Sequence, residues 1–206
     1  MTDTLYAEFY DPTDKFLAEP RAFCYDLAAQ LVTEAKQEAQ DNWYNQEKTL
    51  KGILLLLFTW NFAARETKKL NFNNVGSLIG NNEEDLKFLE HFSIESVSDD
   101  AWVVIERVFA GFMKLLGQTG ASKALSLLNP YLFVMWDTAI RKRLKQELIT
   151  GIGNGERPEY YITFLRGIQG ILKQYNIPKK LPHGFIIAKK IDEYHYVRIV
   201  MQHKTH

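Results

Sequence analysis

Apolar residues recur along the first part of the chain with the period of a helix. Phe23, Leu27, Leu31 and Ala35 follow one another at spacings of four, with acidic and amide residues between them. This spacing predicts a first long helix over roughly residues 20–42, because positions four apart share one helix face.

The stretch 45–70 predicts a second helix, with polar ends and an apolar middle. Its most apolar part, 52–64, is shorter than the about 20 residues that cross a bilayer. We therefore predict a central buried helix there and no membrane partner. Asn and Gly interrupt the pattern over 71–93, which indicates short helices.

A longer helix is predicted to begin after Ser98 or Asp99, either of which suits an N-cap, and to end at Gly117. Its apolar side chains form one face: Trp102, Ile105, Phe109, Phe112 and Leu116. A short apolar helix follows over 123–128.

Asn129-Pro130 is predicted to stop that short helix, and Asp137 is placed to cap the next one, "TAIRKRLKQEL". Beyond the glycine-rich "TGIGNG", the pattern predicts a helix in "YITFLRGIQGILKQYN" and a final helix or strand-like tail in "FIIAKKIDEYHYVRIV". Convincing strand alternation and repeats are absent from the sequence. We therefore predict an all-α protein, with one helical domain over residues 1–206.

Composition narrows the chemistry. With 206 residues and 46% hydrophobic content, the chain can form a sizeable core without disulfide bonds or structural metal ions. Its single cysteine, Cys24, excludes an internal disulfide and ordinary cysteine-based zinc sites, which is typical of a cytoplasmic protein. The N-terminus lacks the pattern of a secretory signal. The histidines lack metal-ligand spacing and "GIGNG" follows a helix rather than a strand, so we expect neither a metal nor a cofactor.

Charge is unevenly distributed although the net charge is zero. Residues 1–140 carry 12 basic and 20 acidic side chains, and residues 141–206 carry 13 and 5. The basic C-terminal part indicates either a face for an anionic partner or two lobes that attract each other. Four basic side chains from Arg141 to Lys145 point to most sides of one predicted helix. They either form a solvated face or contact phosphate groups.

The stretch "GASKALSLLNPYLFVMWDTAIRKRL", residues 120–144, resembles the helix-hairpin-helix superfamily of base-excision DNA glycosylases. In that superfamily a glycine-rich hairpin precedes a lysine, and an Asp-Thr-x-[Val/Ile] segment opens the next helix. Here Gly120, Lys123 and "WDTAIRK" with Asp137 stand in those places; "TGASKALS" has one glycine where the family has two. The resemblance implies a two-lobed helical bundle with a cleft near residues 117–145.

The resemblance also implies roles for these residues. Asp137 would be the catalytic carboxylate and Lys123 the amine that attacks the sugar. An extruded base would stack on aromatic side chains, among which Trp136, Phe133 and Tyr131 are candidates. The residues expected to contact DNA are Gly120, Ser122, Trp136, Arg141, Lys142, Arg143 and Lys145.

Two functions from different classes remain open at this point. The first is DNA binding with N-glycosylase activity on a damaged base. The second is a non-catalytic helical protein that keeps the scaffold and binds nucleic acid or a protein partner. Asp137 serves equally well as a plain N-cap and as a catalyst, whereas a lysine at the position of Lys123 is more often solvated than nucleophilic. Whether both face one accessible cleft separates the two functions.

Overall fold

A computed structural model describes residues 21–60, 69–147, 157–175 and 186–196, with backbone only at Gln40, 143–147 and Tyr175. Within these ranges every long element is a helix and no strand occurs, so the all-α prediction is confirmed. The helices are α1 (Ala22–Ala39), α2 (Glu47–Trp60), α3 (Phe72–Gly80), α4 (Glu83–Leu89), α5 (Asp99–Leu128), α6 (Thr138–Glu147), α7 (Pro158–Tyr175) and α8 (Ile187–His195). A short 3₁₀ turn, Gln40–Asn42, follows α1.

Helix α1 buries a different face from the one that its largest residues predicted. Phe23 is 71% exposed, whereas Ala28, Val32 and Ala35 are buried. The reason is the close approach of α2: a Cβ added at Gly52 would lie 2.8 Å from the carbonyl oxygen of Ala28. Small side chains are needed on the face that meets another helix at this distance, so Phe23 is left outside, while the larger Tyr25 is buried beside Lys189 of α8.

The buried apolar side chains of the described ranges form one contiguous core, to which all eight helices contribute. The predicted apolar face of α5 lies in it, with Trp102, Ile105, Phe109 and Phe112 buried. This core joins the helices before and after the segment that resembles the glycosylases. A cleft that separates two lobes near residues 117–145 stays a prediction.

Helix α5 is bent at Gly117, where the sequence predicted a helix end. Ser98 caps its start, since the amide of Ala101 donates to the Ser98 hydroxyl at 3.3 Å. At Gly117 the backbone adopts φ 66° and ψ 174°, a conformation that is essentially restricted to glycine. The bend redirects the chain, and residues 118–128 continue as a second helical segment that carries Lys123.

Replacing Gly117 with alanine should lower the free energy of unfolding by about 1–3 kcal/mol, because alanine resists this backbone conformation. No atom lies within 4 Å of the added Cβ, so the loss would come from the backbone and not from a clash. Gly170 is the matched control, since it lies exposed in α7 with equally open space around its Cβ. Gly170→Ala should stabilise by about 0.5–1 kcal/mol. Urea unfolding of both variants measures the difference, and equal shifts would contradict the strained bend.

Asn129 ends α5 as predicted and fastens the following segment to α4. Its side-chain amide donates to the carbonyl oxygen of Leu89 at 2.9 Å. Lys36 of α1 donates to the carbonyl oxygen of Leu128 at 3.3 Å, which satisfies an acceptor at the end of α5. The non-helical segment 133–137 then runs through the core, where the Tyr161 hydroxyl donates to the carbonyl oxygen of Val134 at 2.8 Å.

For the C-terminal segment the sequence allowed either a helix or a strand-like tail. The structure shows a helix over Ile187–His195. The glycine-rich segment at 151–155 lies outside the described residues.

In the part of the chain that the structure describes, no helix has both the length and the apolar character needed to cross a membrane. The same residues hold no group of three His, Cys, Asp or Glu side chains suited to a metal ion. Cys24 is a partly exposed free thiol.

Candidate functional site

A serine clip brings the helix that carries Lys123 against the segment that ends in Asp137. Ser122 is fully buried, and its hydroxyl accepts a hydrogen bond of 3.0 Å from the amide of Trp136. The same hydroxyl lies 3.0 Å from the carbonyl oxygen of Thr119, to which it can donate. Since Lys123 follows Ser122 and Asp137 follows Trp136, the clip brings the two predicted catalytic residues into one neighbourhood.

Lys123 is 7% exposed, although the sequence suggested a cleft-facing or solvated side chain. Its ammonium donates to the carbonyl oxygen of Trp60, at the end of α2. Burial lowers the pKa of Lys123, and the nearby positive charge of Arg21 acts in the same direction. The carboxylates of Asp137 and Asp192 oppose this effect and raise the pKa. The amine is therefore easier to deprotonate than an exposed lysine.

Asp137 caps α6, as its place in the sequence predicted. The amide of Ile140 donates to its Oδ1 at 2.8 Å. The side chain is partly buried, and its charge acts on Lys123. A carboxylate at a helix N-terminus is stabilised by the helix dipole and by the amides of the first turn. The residue thus performs the capping role, and it also supplies a fixed negative charge beside a buried amine.

The third charged member of the site is Asp192 of α8, which sequence reasoning missed. Burial raises its pKa to about 7, and the negative charge of Asp137 contributes in the same direction, whereas Lys123 lowers the pKa. A signal was present in the sequence. Asp192 falls between Ala188, Ile191 and His195 at the spacing of one helix face, and these three neighbours are buried. An aspartate on a buried face is the kind of residue that warrants a functional explanation.

Two residues expected at a DNA-binding hairpin lie in the protein interior instead. Gly120 is a buried residue within the helical segment 118–128, and the bend lies three residues earlier, at Gly117. Ser122 is occupied by its contacts with Trp136 and Thr119. The expectation that these two residues contact phosphate is therefore corrected: in this conformation they hold the site together and are not accessible to a ligand.

Trp136 is a core residue in this structure, not an accessible stacking surface. It is 2% exposed and its ring lies 5.3 Å from that of Tyr161 and 5.2 Å from that of Phe164. A DNA base could not stack on it without displacing these rings, so its expected role is corrected as well. Phe133 is buried too, whereas Tyr131 is 54% exposed and keeps an accessible ring.

The described cations of the basic run that begins at Arg141 have different surroundings: one makes contacts within the fold and one is exposed to solvent. The guanidinium of Arg141 donates to the side-chain carbonyl of Gln118 and lies 5.9 Å from the centre of the Trp136 ring. Arg141 therefore fastens α6 to the second segment of α5. Lys142 is exposed and can meet a phosphate. The side chains of Arg143 and Lys145 lie outside the described residues.

The site therefore consists of a buried amine and two carboxylates whose charges act on it, one of them on α8, far away in sequence. A buried lysine with a lowered pKa beside such groups is a recognised sign of amine chemistry, and it also occurs in structural ion clusters. Comparison with known proteins adds no family: no protein-family model, curated protein or solved structure matches the chain.

Proposed function

We propose that this chain binds DNA and removes a damaged base, with Lys123 as the attacking amine and Asp137 as the catalytic carboxylate. The observation that supports this most is the pair itself: a lysine whose pKa is lowered by burial lies within the electrostatic reach of a carboxylate at a helix N-terminus. The order of these residues along the chain is the order in the helix-hairpin-helix glycosylases, which the sequence resembles.

The chemistry uses the neutral form of the amine. Its lone pair would form a bond to C1′ of the sugar as the N-glycosidic bond breaks, and the departing base would take the bonding electrons and a proton. The attacking nitrogen would then lose one of its two protons, and the C1′–O4′ bond would break, with O4′ taking the bonding electrons and a proton from solvent, to leave a protonated imine. Asp137 would stabilise the positive charge that develops on the sugar. For this attack the contact between Lys123 and the Trp60 carbonyl has to open, because the amine is buried.

DNA would be held by the basic C-terminal part of the chain. Residues 141–206 carry 13 basic and 5 acidic side chains, and exposed Lys142 lies close in sequence to Asp137. Contacts of lysine and arginine with phosphate are independent of base sequence and weaken as salt concentration rises. Of the three stacking candidates that the resemblance offered, Tyr131 has the exposed ring, which makes it the best candidate to stack on an extruded base.

The second candidate function is a non-catalytic helical protein that binds nucleic acid or a protein partner. The burial of Lys123 and its hydrogen bond to the Trp60 carbonyl favour this alternative, because a lysine in such a position stabilises the junction between two helices. Under this alternative, Asp137 is a helix cap and a counter-charge.

Base release by the unaltered protein separates the two functions. We would incubate it with a panel of duplexes, each with one oxidised, alkylated or deaminated base, and measure free base and borohydride-trapped complex. The glycosylase proposal expects release, with trapping, on at least one duplex. Salt-dependent DNA binding without release on any duplex would favour the non-catalytic protein. Absence of both binding and release would overturn DNA as the partner.

A further inference from the structure

The backbone of Trp60 covers the amine of Lys123. The lysine is 7% exposed, and its ammonium donates to the Trp60 carbonyl oxygen, a bond that joins α5 to the last described residue of α2. A molecule that reacts with this amine first has to break the bond. Access to the lysine therefore depends on how firmly Trp60 is held in place.

The side chain of Trp60 is held by residues from the two ends of the described chain. Its indole N–H donates to the carbonyl oxygen of Arg21 at 3.0 Å. The guanidinium of the same arginine lies 4.7 Å from the centre of the indole ring, within the range of a cation–π contact. The ring of Tyr196, directly after α8, meets the indole edge to face, with 5.2 Å between the ring centres. Trp60 is therefore held both by its indole N–H and by its ring.

Arg21 and Tyr196 are also bonded to each other. The guanidinium of Arg21, directly before α1, donates to the Tyr196 hydroxyl at 2.7 Å. Each of the three residues thus contacts the other two, although they lie at the start of α1, in α2 and after α8. Residues that share partners in this way are energetically coupled, because loss of one contact weakens the others. We expect the three residues to separate from one another as a unit.

We propose that Arg21, Trp60 and Tyr196 form a gate that closes the Lys123 amine and exposes it when the three residues separate. Each contact contributes modestly, and Arg21 and Trp60 are partly exposed, so the gate can open locally without unfolding of the whole protein. The use of this gate in base excision rests on the proposed function of Lys123, but closure of the amine does not depend on DNA.

Acetylation of amines on the full chain without DNA measures how often the gate opens. Mass spectrometry of proteolytic peptides follows each lysine separately. In the unaltered protein Lys123 should react much more slowly than exposed Lys142. Tyr196→Phe removes the hydroxyl that accepts from Arg21 and keeps the ring. It should speed the acetylation of Lys123 about fivefold, the effect of losing one hydrogen bond.

Arg21→Gln removes the guanidinium, and with it both the hydrogen bond to Tyr196 and the cation–π contact with Trp60. Lys123 should then react about tenfold faster or more. The charge of Arg21 lowers the pKa of Lys123. Its loss would raise that pKa and by itself slow acetylation, because only the neutral amine reacts. A faster reaction would therefore report access to the amine and not its charge.

Arg166→Gln is the matched control, because Arg166 makes the same kind of contact elsewhere: its guanidinium lies 5.1 Å from the centre of the Trp102 ring. This variant should leave the acetylation rate of Lys123 unchanged. Lys36 is the internal reference in every sample, since burial lowers its pKa and it donates to the carbonyl oxygen of Leu128 at 3.3 Å. In the gate variants the rate of Lys123 should rise and that of Lys36 should not.

An unchanged rate at Lys123 in either gate variant, an equal rise at Lys36, or the same rise in Arg166→Gln would overturn the gate. If the gate variants do not fold, the unaltered protein still decides. Opening breaks the bond from the Trp60 indole to the Arg21 carbonyl, so hydrogen exchange of that indole proton and acetylation of Lys123 should increase with urea along one slope. Two different slopes would show that the gate does not control the amine.

The gate and the glycosylase function can fail separately. Acetylation of Lys123 that follows the gate, in a protein that releases no base from any duplex, would refute the glycosylase function and leave the gate intact. Base release by a protein in which the acetylation of Lys123 ignores the gate variants would support the glycosylase function and overturn the gate.

Discussion

Replacing Lys123 with glutamine should abolish borohydride trapping on every damaged or abasic duplex that traps the unaltered protein. A glutamine amide is not nucleophilic and cannot form an imine with the sugar. Glutamine is one atom shorter than lysine but keeps an N–H donor for the Trp60 carbonyl, the acceptor that Lys123 contacts. The loss would therefore report the amine and not a missing hydrogen bond.

Lys36→Gln is the matched control for this change. Lys36 is also partly buried, its pKa is lowered by burial, and it donates to the carbonyl oxygen of Leu128 at 3.3 Å. This variant should trap DNA as well as the unaltered protein does. Trapping that survives in Lys123→Gln would assign the amine to another residue, and equal loss in both variants would point to general destabilisation.

Replacing Asp137 with asparagine should reduce base release by roughly a hundredfold or more, while the protein stays close to its original stability. Asparagine caps a helix about as well as aspartate, so the bond from the Ile140 amide can be kept. A neutral amide cannot stabilise a developing positive charge. Asp137→Ala should lose activity too and also lower the free energy of unfolding by about 1 kcal/mol.

Asn71→Ala separates capping from catalysis. Asn71 caps α3 through its Oδ1, which accepts from the amide of Asn74 at 2.9 Å, a contact like that of Asp137. The variant should lose about 1 kcal/mol of stability and keep base release. Thermal unfolding and single-turnover base release measure the two effects. Full activity in Asp137→Asn would make the carboxylate a cap alone and remove the proposed mechanism.

Helix class and helix ends were determined by the sequence itself. The caps at Ser98 and Asp137 and the stop at Asn129 lie where local patterns predicted them, and at Gly117, where a helix end was predicted, the helix bends and continues. Each depends on hydrogen bonds or backbone conformation within a few residues along the chain, so the residue types alone carry the information. The order of Lys123 and Asp137 along the chain is also visible in the sequence alone, because it does not depend on which helices pack together.

Burial was decided only by the tertiary structure. Phe23 was predicted to face the core, but the contact of α1 with Gly52 of α2 selects the face with small residues. Trp136 resembled an accessible aromatic residue, but the rings of α7 enclose it. The surroundings of a side chain depend on helices that are distant in sequence, and periodicity along one helix does not specify its partner.

Lys123 and Asp192 show most clearly what the sequence determines and what only the tertiary structure determines. Their residue types and helical positions can be read from the sequence, but they lie on α5 and α8, which are far apart along the chain. Only the fold brings the charge of the second carboxylate to bear on the lysine, and burial together with the neighbouring charges shifts both pKa values. Desolvation and charge coupling depend on distances in the folded protein, which is why the sequence determined the groups and the tertiary structure determined their chemistry.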